Sequence, residues 1–302
     1  MRPKCNYTKN MRRSISFTIL FFVMLSVLVS CYQSHKRELD LAYTLAESKP
    51  DSALAFLNRI NQGKLSDKDM AKYALIYYMA QDKSGLDVDN DSLIRIAYDW
   101  YGEHQDDSLY ASSLYYMGKC FLLNDSMEQA KACLEKSYSI SDSLHNMNLK
   151  CLALDKLIEV EEQLAPYKAL NYAKALVKMY ESMPNATIYN KVAARLRLCD
   201  NFMFVDSLRQ ALCEGQIALK QVIKDADRNL YSFVCQDLAN VYEKVGEKDS
   251  CLFYWDVVYQ KTWESIVETL LSHILTRESA ELQFYMYCVC ACVHEREREG
   301  LP

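Results

Sequence analysis

The stretch Ala111–Asp142, ASSLYYMGKCFLLNDSMEQAKACLEKSYSISD, decides the fold. Leu114, Met117, Gly118 and Phe121 recur at spacings of three and four, which gathers them on one face of a helix. Asn124-Asp125 interrupts that helix, and Ala130, Leu134 and Ser137 then mark one face of a second. Gly118 and Ala130 have a steric role, because a larger side chain at either would hold the two helices of a hairpin apart.

Copies of this hairpin lie on both sides of it. Downstream, Leu238-Ala239, Tyr242 and Gly246 outline a first helix and its turn, with Cys251, Trp255 and Val258 on the helix that follows. Weaker copies keep Val160, Pro166, Ala169, Ala173 and Leu176, and then Phe202, Ala211, Gly215 and Ala218. Near the start, Pro50-Asp51-Ser52-Ala53 opens a helix through Leu57 and Ile60, and Asn90-Asp91-Ser92-Leu93 opens another through Ala97 and Trp100. Taking Ala53, Leu93, Ala130, Ala169, Ala211 and Cys251 as equivalent gives steps of 40, 37, 39, 42 and 40 residues. A small residue in the first helix, an aromatic three later and Ala opening the second resemble the tetratricopeptide pattern. The step exceeds the roughly 34 residues of the common unit, so the resemblance implies helices about a turn longer or longer connections; HEAT-like repeats share the longer period. The expected fold is all-α, a right-handed superhelical solenoid of about six hairpins.

Composition agrees. Only 7 glycines and 5 prolines occur in 302 residues, too few for the turns of an all-β or Rossmann-like chain. Seven Asp-Ser pairs, at 51, 91, 107, 125, 142, 206 and 249, sit at the expected breaks, where they read as helix N-caps in preference to calcium or phosphorylation sites.

The first thirty residues read as a targeting segment. Arg12 and Arg13 precede an apolar run from Ile15 to Val29, shorter than the roughly 20 residues a spanning helix needs. The run ends in Leu28-Val29-Ser30-Cys31, which resembles the lipobox of bacterial lipoproteins. That resemblance implies diacylation of the Cys31 thiol, cleavage before it and acylation of the new amino terminus. With Tyr32 and not Asp after the cysteine, it also implies the outer membrane, facing the periplasm. Removing residues 1–30 takes away five basic residues (Arg2, Lys4, Lys9, Arg12, Arg13) and no acid, leaving 30 basic against 40 acidic side chains and a net charge of −10. Such a chain is repelled by phosphate, so nucleic acid is not an expected partner, and it lacks a polybasic stripe for anionic lipid.

The lipobox, the helix start at Lys49–Leu54, the Asp91-Ser92-Leu93 segment and the Leu114–Gly118 repeat, in that order, resemble a family of Bacteroidota-type tetratricopeptide lipoproteins. The expected layout is a signal peptide (1–30), a helical repeat domain (31–262) and a capping helix with tail (263–302). Members of that family often continue into a membrane span and a regulatory domain. Here Phe284–Val293 offers only about ten apolar residues before the charged tail Glu295–Glu299, so either a shortened gene or a capping helix fits.

No chemistry-bearing motif appears. The five histidines are dispersed without HExxH, no GxSxG, GxGxxG or P-loop occurs, and Glu161-Glu162 reads as solvated surface. Among the cysteines, Cys120, Cys133, Cys151, Cys199, Cys213, Cys235 and Cys251 stand singly at small-residue positions and read as packed thiols. Cys288, Cys290 and Cys292 beside His294 form the weak metal candidate. Neither catalysis nor a metal or other cofactor is expected. The expectation is a lipid-anchored scaffold for a protein or peptide, with the sensory part of a membrane-spanning regulator as the alternative.

Stacked hairpins line a groove with their first helices. By the register of the tetratricopeptide resemblance, the groove candidates are Tyr115, Lys119 and Leu122, then Leu154 and Ile158, then Leu196 and Asp200, and last Gln236, Asn240 and Lys244. The resemblance places Asn240 where some relatives grip peptide backbone, while the full residue set that clamps a C-terminal carboxylate is absent. The lipobox reading has a direct test: Cys31→Ser moves the protein from the membrane fraction to the soluble fraction on cell fractionation, and membrane retention of the variant contradicts it.

Overall fold

The computed structural model describes residues 36–86, 90–104, 106–225 and 228–260. Cys31 and the signal segment, the 263–302 tail, and Cys288, Cys290, Cys292 and His294 lie outside the described residues. Within them the chain is all-α, with no strand. A helix at 36–48 (α1) is followed by α2 (Pro50–Leu57), a 3-10 turn at Gln62–Lys64, α3 (Asp67–Lys83), α4 (Ser92–Glu103), α5 (Asp107–Leu123) and α6 (Met127–Ser143). Then come α7 (Met147–Leu164), α8 (Pro166–Ser182), α9 (Ile188–Phe204), α10 (Leu208–Asp225), α11 (Arg228–Val245) and α12 (248–260). No described helix is long and apolar enough to cross a membrane. The chain divides into two compact units at Val160/Glu161, inside α7.

The forty-residue step has a simple origin. α5 and α6 are each 17 residues long and are separated from each other and from α7 by three residues, so one hairpin with its two turns spans 40 positions. Burial repeats at the same interval along the first helices: Ala71, Ala111 and Cys151 in the first unit, and Val192 and Ser232 in the second, where Ser232 is partly covered. In the second helices Leu57, Ile94 and Leu134 are buried in the first unit, and Ala173 and Gly215 in the second.

One position departs from the sequence reading. Leu93 is only partly covered, and Ile94, Ala97 and Tyr101 form the buried face of α4. This 12-residue helix starts at Asp91, so Ile94 matches Leu134 and the first two steps become 37 and 40. Trp100 lies off that face and stacks on His104, ring centroids 3.7 Å apart.

Two of the seven Asp-Ser pairs serve a different end from the N-capping that the sequence suggests. Asp125 and Asp206 have φ of 53° and 56°, the left-handed conformation that a helix-terminating residue adopts, and His145 (54°), Gly85 (71°) and Gly246 (84°) do the same at other turns. In each case the next backbone N–H donates five residues back into the helix just ended: Ser126 to Phe121 (2.8 Å), Ser207 to Phe202 (2.8 Å), Asn146 to Ser141 (2.9 Å), Leu86 to Gln81 (2.9 Å) and Glu247 to Tyr242 (3.0 Å). Asp tolerates this conformation better than most side chains, so the pairs at 125 and 206 mark helix stops, while Asp51 and Asp107 lie in the first turns of α2 and α5 as a helix-start reading implies. At Asp91 and Ser126 no side-chain bond closes the cap, whereas Ser66, Asp106 and Thr187 do cap α3, α5 and α9.

Close helix contact, within a hairpin at Gly118 and between successive hairpins at Gly215, depends on glycine. A Cβ at Gly118 would lie 2.7 Å from Cγ of Leu134 and 3.4 Å from the Ala130 carbonyl oxygen, and one at Gly215 would lie 2.7 Å from Cδ2 of Leu238. Leu134 and Leu238 are fully buried and have nowhere to go. The described cysteines are free thiols, and buried Cys199 packs as a small residue with its Sγ donating to the Ala211 carbonyl at 3.2 Å. Gly118→Ala is expected to lower folding stability by about 1–3 kcal/mol, and Leu134→Ala in the same chain to cost less than it does alone, as a chemical-denaturation double-mutant cycle would measure.

Candidate functional site

The first helices of the hairpins present the candidate surface, and each unit has its own. In the first unit the face is closed by packing. Tyr115 is 3% exposed, set edge-on against Tyr116 with centroids 5.0 Å apart, and Leu122 is 9% exposed. Leu154 and Ile158 are buried as well. These four serve the core, because α5 and α7 are covered on more of their circumference than a one-sided amphipathic pattern implies. Lys119 reaches the surface and pairs with Asp82 of α3, joining two consecutive first helices beside Tyr78 and Tyr116.

In the second unit α9 and α11 stay open. Asp200, Asn240 and Leu196 are partly exposed, while Gln236 and Lys244 are exposed. Phe204 on α9 and Phe233 on α11 are also exposed, at 59% and 57%. Arg195 anchors α9 from the other side: its guanidinium bonds Glu214 of α10 at 2.6 Å and also pairs with Glu181 of α8. The core beneath is Val192, Ala218, Val222, Leu230, Val234, Leu238 and Tyr242.

Around Asp200 the structure gathers side chains that the sequence reading did not select. Asn201, 1% exposed, donates its Nδ2 to Glu162 Oε1 at 2.7 Å and to the Arg197 carbonyl at 2.9 Å. Arg197 Nη1 stands 4.0 Å from the same Glu162 oxygen. Asp237 of α11 faces this group, since Asp200 and Arg197 both act on its charge. The Glu161-Glu162 pair is therefore not solvated surface: Glu161 is 1% exposed and accepts from Lys168 at 2.6 Å, and Glu162 belongs to the cluster. The forty-residue step applied to Leu122 points at Glu162, a signal the sequence held; Asp237 and Asn201 become visible only when α9 and α11 are set side by side.

Electrostatics in this cluster are unfavourable. Burial, with Glu162 adding repulsion against the opposing pull of Arg197 and Lys244, pushes the Asp200 carboxyl from 3.8 up to about 6. Burial and Asp200 push Asp237 up to about 7, with Arg197 opposing. Among the described residues no hydrogen bond or ion pair reaches either carboxylate. No group of three or more His, Cys, Asp or Glu placed to hold a metal occurs among them. The arrangement can hold charge and donate or accept hydrogen bonds, and it places no nucleophile beside a base. A carboxyl with a higher pKa folded than unfolded binds its proton more tightly when folded, so stability rises as pH falls through about 7 towards about 4. Thermal unfolding is expected to shift to higher temperature from about pH 8 to about pH 5.5, and Asp200→Asn/Asp237→Asn to raise the pH 8 midpoint and flatten that slope.

No protein-family model matches the sequence, and no curated protein matches it. Solved structures match in fold. RapI in its apo form aligns with TM-score 0.62 and 11% identity, over 83% of this chain and 74% of its own. BtubC (BKLC) from P. vanneervenii aligns with TM-score 0.56 and 15% identity, over 77% and 90%. A Rap protein complexed with Competence and Sporulation Factor aligns with TM-score 0.50 and 11% identity, over 88% and 87%. At these identities the likeness is one of fold, an all-α repeat of the tetratricopeptide-like solenoid class.

Proposed function

We propose that this chain is a non-catalytic scaffold, lipid-anchored through Cys31 in a bacterial envelope, that holds a protein or peptide segment along its first helices. The observation that carries the reading is the open face of α9 and α11. It sets exposed Phe204 and Phe233 beside Asp200, Gln236, Asn240 and Lys244 on rigid, well-packed helices. Large aromatic side chains exposed on ordered helices supply contact area at little entropic cost, and polar groups beside them fix the register of a bound chain. The fold class supports the same use, since one matched structure of this class is a Rap protein in complex with Competence and Sporulation Factor. Tyr115 and Leu122 are left to the core, and Lys119, largely covered and paired with Asp82, keeps a peripheral place in the proposed surface.

Affinity capture from detergent-solubilised envelopes, with the full chain as bait, tests this. Gln236→Ala/Asn240→Ala on α11 is expected to lose the captured partner by about tenfold or more with an unchanged circular dichroism spectrum. An identical set of captured proteins from both baits removes this face from the binding surface.

A further inference from the structure

The second helices of the second unit carry a repeated apolar pair that α12 leaves bare. Ala173, Gly215 and Trp255 are equivalent positions at steps of 42 and 40 residues. Three residues before and four after each of them stand Leu170 and Val177 on α8, Leu212 and Leu219 on α10, and Leu252 and Tyr259 on α12. A separation of seven puts both members of a pair on one side of the helix, two turns apart. On α8, which packs against α9, Leu170 and Val177 are 7% and 8% exposed. On α10, Leu212 and Leu219 are partly covered and pack against the cluster to which α11 contributes Leu230, Val234, Leu238 and Tyr242. On α12, Leu252 and Tyr259 are 62% and 67% exposed. Another side of α12 already serves the repeat, with Cys251 and Tyr254 against that cluster and Tyr254 stacked on Tyr242 at 5.6 Å. The pair therefore marks the side of a second helix that the following first helix covers.

We propose that residues 264–280 of this same chain fold back onto α12 as the next first helix and bury Leu252 and Tyr259. These residues lie outside the described ones, and their reach and their pattern both fit. A three-residue turn and a 17-residue helix, the dimensions found at α5 and α6, take up 261–280 directly after α12. Within that span Ile266, Val267, Leu270, Leu271 and Ile274 recur at the spacing that predicts one apolar helix face, while Ser265, Glu268, Ser272 and Thr276 fall on the other. A forty-residue step from Ser232 lands inside it, at Ser272. Two apolar faces joined by a short tether meet at a high effective concentration, which a second copy or a foreign protein has to outcompete. Terminal units of stacked repeats close the array in this way, with a polar outer side over an apolar inner one. The proposal is independent of the peptide-binding reading. It withdraws Leu252 and Tyr259 from outside partners and leaves the face of α9 and α11 as the surface for one.

Photocrosslinking tests this on the full chain in detergent, with p-benzoylphenylalanine in place of exposed Leu252 and an equal mixture of isotope-labelled and unlabelled protein. The expected product joins position 252 to a residue within 270–280, both halves carrying the same isotope. Were the helix to run straight on from α12, residue 270 would lie about 27 Å from position 252, beyond the reach of the crosslinker. Products of mixed isotope seat a second copy on α12 and overturn the proposal, as does a crosslink to a different protein or the absence of any product within 264–280. Amide hydrogen exchange gives a second readout. Leu270→Asp/Ile274→Asp is expected to speed exchange of the α12 amides by about tenfold or more while those of α9 keep their rates, and Glu268→Gln/Ser272→Asp changes neither. Unchanged exchange of α12 in Leu270→Asp/Ile274→Asp also overturns the proposal. The peptide-binding reading is decided by affinity capture and is untouched by either result.

Discussion

The close approach of neighbouring helices, within a hairpin and from one hairpin to the next, is the contact on which the remaining architecture depends. At Gly118 there is no room for a methyl group against Leu134, and at Gly215 none against Leu238. Removing every side-chain atom at those points lets leucines of the facing helix occupy the space, which buries them completely and sets the distance between helix axes. Cys199 shows the same economy, its thiol being small enough to meet the Ala211 carbonyl. Given that contact, helices of 17 or 18 residues and three-residue turns generate the repeat length without further specification.

The turns are the second constraint, and they show how one sequence signal can serve a different end from the one it suggests. Asp-Ser at a helix break reads as a cap for the helix that follows. In the folded chain Asp125 and Asp206 terminate the helix before them, in the left-handed conformation, and the following N–H closes a bond back to it. Both uses satisfy orphan backbone groups, and the choice between them depends on whether the preceding carbonyls or the following amides are in reach. With only three residues between helices, the carbonyls are nearer.

The open face of the second unit runs against the economy of the core. Other buried polar side chains do find partners: Ser137 donates to the Ala111 carbonyl at 2.7 Å, and Glu161 accepts from Lys168. Around Asp200 and Asp237 burial raises both carboxyls, with repulsion from Glu162 added at Asp200 and from Asp200 added at Asp237. Charge held at such a disadvantage on a rigid support is more common at binding and catalytic sites than in structural packing.

Much of this was legible in the chain alone. Spacings of three and four, small residues at Gly118 and Ala130, and scarce glycine and proline dictated paired helices at a step near forty, because helical period and close packing are local rules that a sequence displays directly. Asp200, Gln236, Asn240 and Lys244 were groove candidates only through the register that the tetratricopeptide resemblance implies. Only the tertiary structure decided that Tyr115 and Leu122 are enclosed while Phe204 and Phe233 are exposed, since exposure depends on how many neighbours cover a helix and not on its own pattern. It also brought Glu162 of α7 to Asn201 of α9, the neighbour of Asp200, across 39 positions of the chain. Charge repulsion and unmatched acceptors exist only between groups that folding has made neighbours, so the chemistry of this site was written in packing and could not be read from order.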